Sequence, residues 1–172
     1  QFRGNGAQAL VAAGNNSSVT LYQTYLIGNG SGISLTGSSN DLEGDYSFIT
    51  ENGGHGVLMG YNSELRMDNS LIAYNSGNGI FTDGAVDLNY RNVLHNGGAG
   101  IHTNQLSTVN NSIVWFNGGV PQMSTYNTYA SSYTNVQGIN ALLTSTEFAW
   151  GDGCIGTDPV LADSRGPLAP LA

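Results

Sequence analysis

Six asparagines, Asn5, Asn29, Asn52, Asn75, Asn96 and Asn117, each open a glycine-rich turn, at intervals of 24, 23, 23, 21 and 21 residues. A near-constant period in the low twenties means that one structural unit is repeated along the chain and stacked on itself. Such a unit cannot bury its own apolar side chains alone. The chain must therefore fold as a solenoid whose core is shared between successive turns.

The apolar pattern within each period identifies the unit. After each marker asparagine comes an alternating run: Ala9-Leu10-Val11-Ala12, Gly32-Ile33-Ser34-Leu35, Gly56-Val57-Leu58-Met59, Gly79-Ile80-Phe81-Thr82 and Gly100-Ile101-His102-Thr103. A second run holds Val19/Leu21, Leu42/Gly44, Leu65/Met67, Val86/Leu88 and Val109. A third, shorter run precedes the next asparagine: Tyr25-Leu26, Phe48-Ile49, Leu71-Ile72, Val93-Leu94 and Ile113-Val114. The periodicity is two, so the runs are strands, three to a turn. Equivalent strands should pair at a rise of about 4.8 Å.

Stacking sets the asparagines over one another, where their amides can bond along the axis. Asparagine also tolerates a left-handed backbone, which a sharp bend requires, and this is the expected reason for its presence there. Thr24, Ser47, Ser70, Asn92 and Ser112 are expected to form a second polar ladder at another bend.

The Asn-x-Gly-Ile repeats between Phe2 and Asn117 resemble the right-handed parallel β-helix superfamily, with its pectate-lyase-like fold. The resemblance implies an all-β solenoid of about six turns. It leaves function open, because that superfamily spans polysaccharide lyases and hydrolases, phage tailspikes, adhesins and inert surface proteins. The expected division is a β-helix over residues 1–138 and an irregular segment over 139–172 that packs along it or caps it.

Composition narrows the partners. Net charge is −8, and the four basic residues are all arginine, so nucleic acid lacks the basic footprint it needs. The sequence holds no run of 18 apolar residues to span a bilayer. Polarity comes from Asn, Ser, Thr and Gly, a composition that fits an extracellular or cell-surface protein of bacterial type. A single cysteine, Cys154, rules out an internal disulfide framework. The chain starts in mid-turn at Phe2 without an initiator methionine, and the expectation is a mature or excised piece whose open first rung either lost a cap with an upstream region or meets another copy. Asn16-Ser17-Ser18 and Asn29-Gly30-Ser31 are glycosylation sequons.

Three surface features follow from the register. In the third strand Leu26, Ile49, Ile72, Leu94 and Val114 fall beside the position taken as inward and are expected to point outward. With Phe2 they would form an apolar stripe, covered either by Leu142, Leu143, Phe148 and Trp150 or by a partner. On the second strand Asp41, Glu43 and Asp45 share one face, followed a turn later by Glu64, Arg66 and Asp68, then by Asp87 and Asn89. Glu43, Arg66 and Asp87 should stack as acid, base and acid, while Asp45 lies over Asp68. That pair is a solvated acidic face, a Ca²⁺ site with other oxygen ligands, or part of a catalytic centre. The lyases of the superfamily use a basic residue as base; this chain has no lysine and Arg66 is expected to be paired. Finally, Glu51, Tyr74, His95 and Phe116 form a column whose rings can stack on sugars or on each other. His102 near Asp83 is an exposed histidine or a base with its orienting carboxylate.

Two classes of function remain. One is an extracellular structural or adhesive β-helix, stacking end to end or laterally with itself. The other is a carbohydrate-active enzyme or carbohydrate-binding module, with or without Ca²⁺.

Overall fold

A computed structural model of the chain describes residues 1–119, 121–125, 127, 129–138 and 148–158. Leu142 and Leu143 lie outside these. Every described element is a strand. β1 (Phe2–Arg3) is followed by the turn β2 (Gln8–Ala12), β3 (Ser18–Tyr22) and β4 (Tyr25–Ile27), and by β5 (Ser31–Leu35), β6 (Asp41–Asp45) and β7 (Phe48–Thr50). Next come β8 (Val57–Met59), β9 (Glu64–Asp68) and β10 (Leu71–Ala73), then β11 (Ile80–Thr82), β12 (Ala85–Asn89) and β13 (Asn92–Leu94). The fifth turn is β14 (Ile101–Thr103), β15 (Ser107–Asn110) and β16 (Ile113–Trp115), and the sixth β17 (Met123–Thr125), β18 (Tyr129–Ser132) and β19 (Asn135–Val136). β20 (Phe148–Trp150) adds a last rung to one side.

The first strands of all turns form one sheet (β2-β5-β8-β11-β14-β17), the second strands another (β3-β6-β9-β12-β15-β18-β20), and the third strands a third that begins with β1. Every pairing is parallel, and equivalents lie side by side, as in Leu42↔Leu65 and Val86↔Leu65. This is the expected β-solenoid of about six turns. Pro121 does not end it, because β17 resumes the first sheet two residues later.

The interior is built of stacked apolar side chains: Ile33, Val57, Ile80 and Ile101 from the first sheet, and Leu42, Leu65 and Val86 beside Met67, Leu88 and Val109 from the second. The third sheet corrects an expectation. Leu26, Ile49, Ile72 and Val114 are each 0% exposed and point into this core, with Val93 as their fourth-turn equivalent. Leu94 is not of that column; it pairs with Ala73 and Trp115. The outward residues are Tyr25, Phe48, Leu71, Asn92 and Ile113. The outward column is thus itself largely apolar, broken by Asn92, with Tyr25 and Phe48 exposed and stacked at 5.1 Å. Phe2 is exposed. Phe148 and Trp150 do not lie across the third sheet; β20 extends the second, where Phe148 stacks on Tyr129 at 5.1 Å and on Trp150 at 5.4 Å.

The asparagine ladder forms as its spacing predicts. Each Oδ1 accepts both the main-chain N–H and the Nδ2 of the asparagine before it, with Nδ2 distances of 3.0, 3.1, 2.8, 2.9 and 2.9 Å from Asn5 to Asn117. The second Nδ2 hydrogen reaches a carbonyl of the turn below, as from Asn75 to Ile49 at 3.0 Å. The ladder ends on Gln122, whose Oε1 takes the place of the next asparagine at 2.8 Å. The left-handed residue is not the asparagine but the one before it: Gly4, Gly28, Glu51, Tyr74, His95 and Phe116 have φ between 52° and 67°. Asparagine is there because it is buried and fills both roles of a ladder rung. Asn29 is accordingly 3% exposed, so of the two sequons only Asn16 is open to solvent.

The residue at the second bend is also corrected. Asn92 is the first residue of β13; the bend position in that turn belongs to Arg91, whose N–H donates to Ser112 Oγ at 3.1 Å just as Ser47 N donates to Ser70 Oγ at 2.7 Å.

Candidate functional site: the outer face of the second sheet

The second sheet carries most of the charged side chains of the described surface, and its register stacks them in two outward columns. One is Thr20, Glu43, Arg66, Asp87, Thr108 and Ala130; the other is Tyr22, Asp45, Asp68, Asn89, Asn110 and Ser132. Alternation along each strand places both columns on the same side.

Arg66 sits among acids but not as the sequence suggests. Its Nη1 lies 3.3 Å from Glu43 and its Nη2 2.5 Å from Glu64 on its own strand. Asp87, expected as the third member of the column, instead accepts the Thr108 hydroxyl at 2.5 Å. Arg66 and its partners are half-exposed, where such pairs contribute at most about 1 kcal/mol. Asp41 is exposed at the start of β6, beside Glu64.

Asp45 and Asp68 are register neighbours, as expected. Asp45 Oδ1 accepts Nδ2 of Asn69 at 3.1 Å. A positive charge reaches the pair from inside the solenoid: Arg91, 1% exposed, has its guanidinium lowered to about 9, burial being the main cause, and the fields of Asp68 and Asp45 act in the opposite direction. The like charges are thus met by a cation the chain itself supplies. Among the described residues no three His, Cys, Asp or Glu side chains converge as metal ligands, and these two carboxylates with their present partners are a poor fit to Ca²⁺, which takes six to eight oxygens. Sequence reasoning missed Arg91, although it lies five residues before its marker asparagine, as do Ser47, Ser70 and Ser112.

The two columns floor a groove that runs along the solenoid axis. A hollow of about 320 Å³ at Tyr22, Asp45 and Glu43 shares Arg66 and Asp68 with one of about 420 Å³ at Asp87, Asn89 and Asn111. This in turn shares Asn110 and Ser132 with one of about 370 Å³ bounded by Trp150. The groove is acidic at the Tyr22 end and lined by amides and hydroxyls at the other.

Two aromatic columns lie away from it. Tyr74, His95 and Phe116 stack at 5.0 and 4.8 Å, so their faces are largely occupied by one another. His55, Phe81 and His102 stack at 5.4 and 4.7 Å. Asp83, the expected orienter of His102, accepts Nδ2 of Asn104 at 2.6 Å. His55 Nδ1 accepts the Asn78 N–H at 3.0 Å, and burial holds its pKa below the usual histidine value. Cys154 is free and its Sγ donates to the Ser131 carbonyl at 3.4 Å.

Comparison of the sequence with curated proteins, and of the fold with solved structures, returned no match. Residues 1–146 match the family described as "Right handed beta helix region". With three parallel sheets, a rung-by-rung register and an asparagine ladder in agreement, the chain belongs to the right-handed β-helix family.

Proposed function

We propose that this chain is an extracellular adhesive β-helix that holds an extended polysaccharide along the outer face of its second sheet. The observation that carries the reading is the continuity of the groove: three hollows join through Arg66 and Asp68 and then through Asn110 and Ser132. A solenoid supplies a rigid, straight floor with polar groups repeating every ~4.8 Å, which suits a linear polymer better than a compact ligand. The surface chemistry of Asn, Ser, Thr and carboxylates matches sugar hydroxyls. A catalytic reading has less support, because Arg66, which a lyase mechanism would need as its base, is held between Glu43 and Glu64.

The test is retention on a glycan array, comparing the protein with a double variant, Asp68→Arg and Asn110→Arg, that fills the groove from its floor. Retention by the parent and its loss in the variant, with unchanged circular dichroism, are expected. No retention on any glycan, or equal retention by both proteins, would remove the proposal.

A further inference from the structure

We infer that the groove takes a β-1,4-linked amino-sugar chain bearing free amines, gripped at intervals of one disaccharide by Tyr46, Tyr90 and Tyr133; this rests on the glycan-binding reading above. The corner beside the groove is a single column, Gln23, Tyr46, Asn69, Tyr90, Asn111 and Tyr133, and all six are left-handed, the tyrosines at φ of 50°, 57° and 51°. Left-handed backbone disfavours bulky side chains, and the same column elsewhere uses Asn or Gln, which tolerate it better. Tyrosine recurs on every second rung, spaced by ~9.6 Å, close to the advance of a disaccharide in an extended β-1,4 chain.

Asn111 of this column lines the groove, and Tyr46 and Asn69 touch residues that do. Tyr46 meets Tyr22 edge-on at 6.2 Å, Asn69 donates to Asp45 at 3.1 Å, and Asn111 donates to Asn89 at 2.7 Å. The three tyrosines are 50%, 60% and 64% exposed. Unlike the Tyr74-His95-Phe116 stack they are separated by asparagines, so they do not cover each other's faces; the Tyr133 ring alone lies against a glycine, Gly153. Apolar ring faces at this spacing suit the C–H faces of alternate sugars. Charge selects among such chains. Glu43, Asp45, Glu64, Asp68 and Asp87 outnumber Arg66 on the surface and Arg91 beneath it, an arrangement that attracts amines and repels uronates or sulfates.

Calorimetry with hexamers of β-1,4-glucosamine, β-1,4-N-acetylglucosamine and α-1,4-galacturonate tests this. The glucosamine hexamer should bind most tightly, and added salt should weaken it; the uronate should not bind. Tyr90→Ala should cost roughly three- to tenfold in affinity, with Tyr61→Ala, an exposed tyrosine at a different corner, as the neutral control. Preference for the uronate, or equal effects of the two substitutions, would overturn the inference. If a glycan binds and is lost in the Asp68→Arg, Asn110→Arg variant but ignores the tyrosines and the amines, this inference alone fails. If no glycan binds to the parent, the glycan-binding reading falls with it.

Discussion

Arg91 Nη2 donates to the carbonyl of Gly44 at 3.3 Å, across two turns of the solenoid and inside its apolar column. Gly44 is the rung where that column has no side chain; a Cβ there would stand 2.7 Å from Met67 Cε. The guanidinium nevertheless leaves Nε and Nη1 without a partner. A buried charge so incompletely bonded costs more in lost hydration than its contacts return.

Arg91→Met should therefore be neutral or stabilising, by up to about 1–4 kcal/mol in urea unfolding. The pH dependence has a definite sign. A base whose folded pKa is lowered to about 9, well below that of a free guanidinium, penalises the folded state fully below pH 9 and less as pH rises beyond it. The advantage of the Met variant over the parent should shrink between pH 9 and 11, and an advantage that grows there would contradict the assignment.

Asn75→Ala removes a rung at mid-ladder. It leaves the Asn52 N–H without its acceptor and takes one bond each from Asn52 Nδ2, Asn96 Oδ1 and the Ile49 carbonyl, although Asn52 Nδ2 keeps the Leu26 carbonyl and Asn96 Oδ1 keeps the main-chain N–H of residue 75. A buried group left unbonded costs ~1–3 kcal/mol and each further lost bond ~0.5–1.5 kcal/mol, so the loss should be about 3 kcal/mol by denaturant titration. Asn5→Ala, at the exposed end of the ladder, should cost under about 1 kcal/mol.

How far the fold could be read in advance follows from these residues. The markers are separated by whole turns, so position, three strands and ladder follow from counting. The third strand does not follow, because its pairs Leu71-Ile72 and Val93-Leu94 are apolar at both places and three residues between two left-handed corners are too few for a period of two to show its phase. Matching Leu71 to Val93 instead of Asn92 slipped that turn by one residue. The slip moved Leu94 into the wrong column and hid Arg91 behind Asn92. The acidic face was legible as a cluster, but the direction in which Arg66 turned was not: Glu43, Glu64 and Asp87 all lie within reach of a long side chain, and local geometry decided between them.

Gly79→Ala tests the fit between rungs. Its Cβ would stand 2.6 Å from the Gly100 carbonyl oxygen and 2.7 Å from Val93 Cγ1. A thermal melt should show a loss of about 1–3 kcal/mol, whereas Gly6→Ala, with nothing within 4 Å, should be near neutral.

His55 makes the solenoid sensitive to acid. Its pKa is lowered in the folded state, so the unfolded chain binds the extra proton first and stability falls as pH drops below 6.5. His55→Asn keeps an acceptor of the kind that Asn78 presents one turn on, to the Ala99 N–H. Melting temperatures taken from pH 7 to pH 5 should decline less in this variant than in the parent.

The most direct measurement is hydrogen exchange with and without the glucosamine hexamer. Binding along the groove should slow exchange in 20–22, 43–46, 66–69, 87–90 and 108–111, the floor and corner of the second sheet, and leave 57–59, 80–82 and 101–103 of the first sheet unchanged. Protection of the first sheet instead, or no change anywhere at saturating hexamer, would contradict the account.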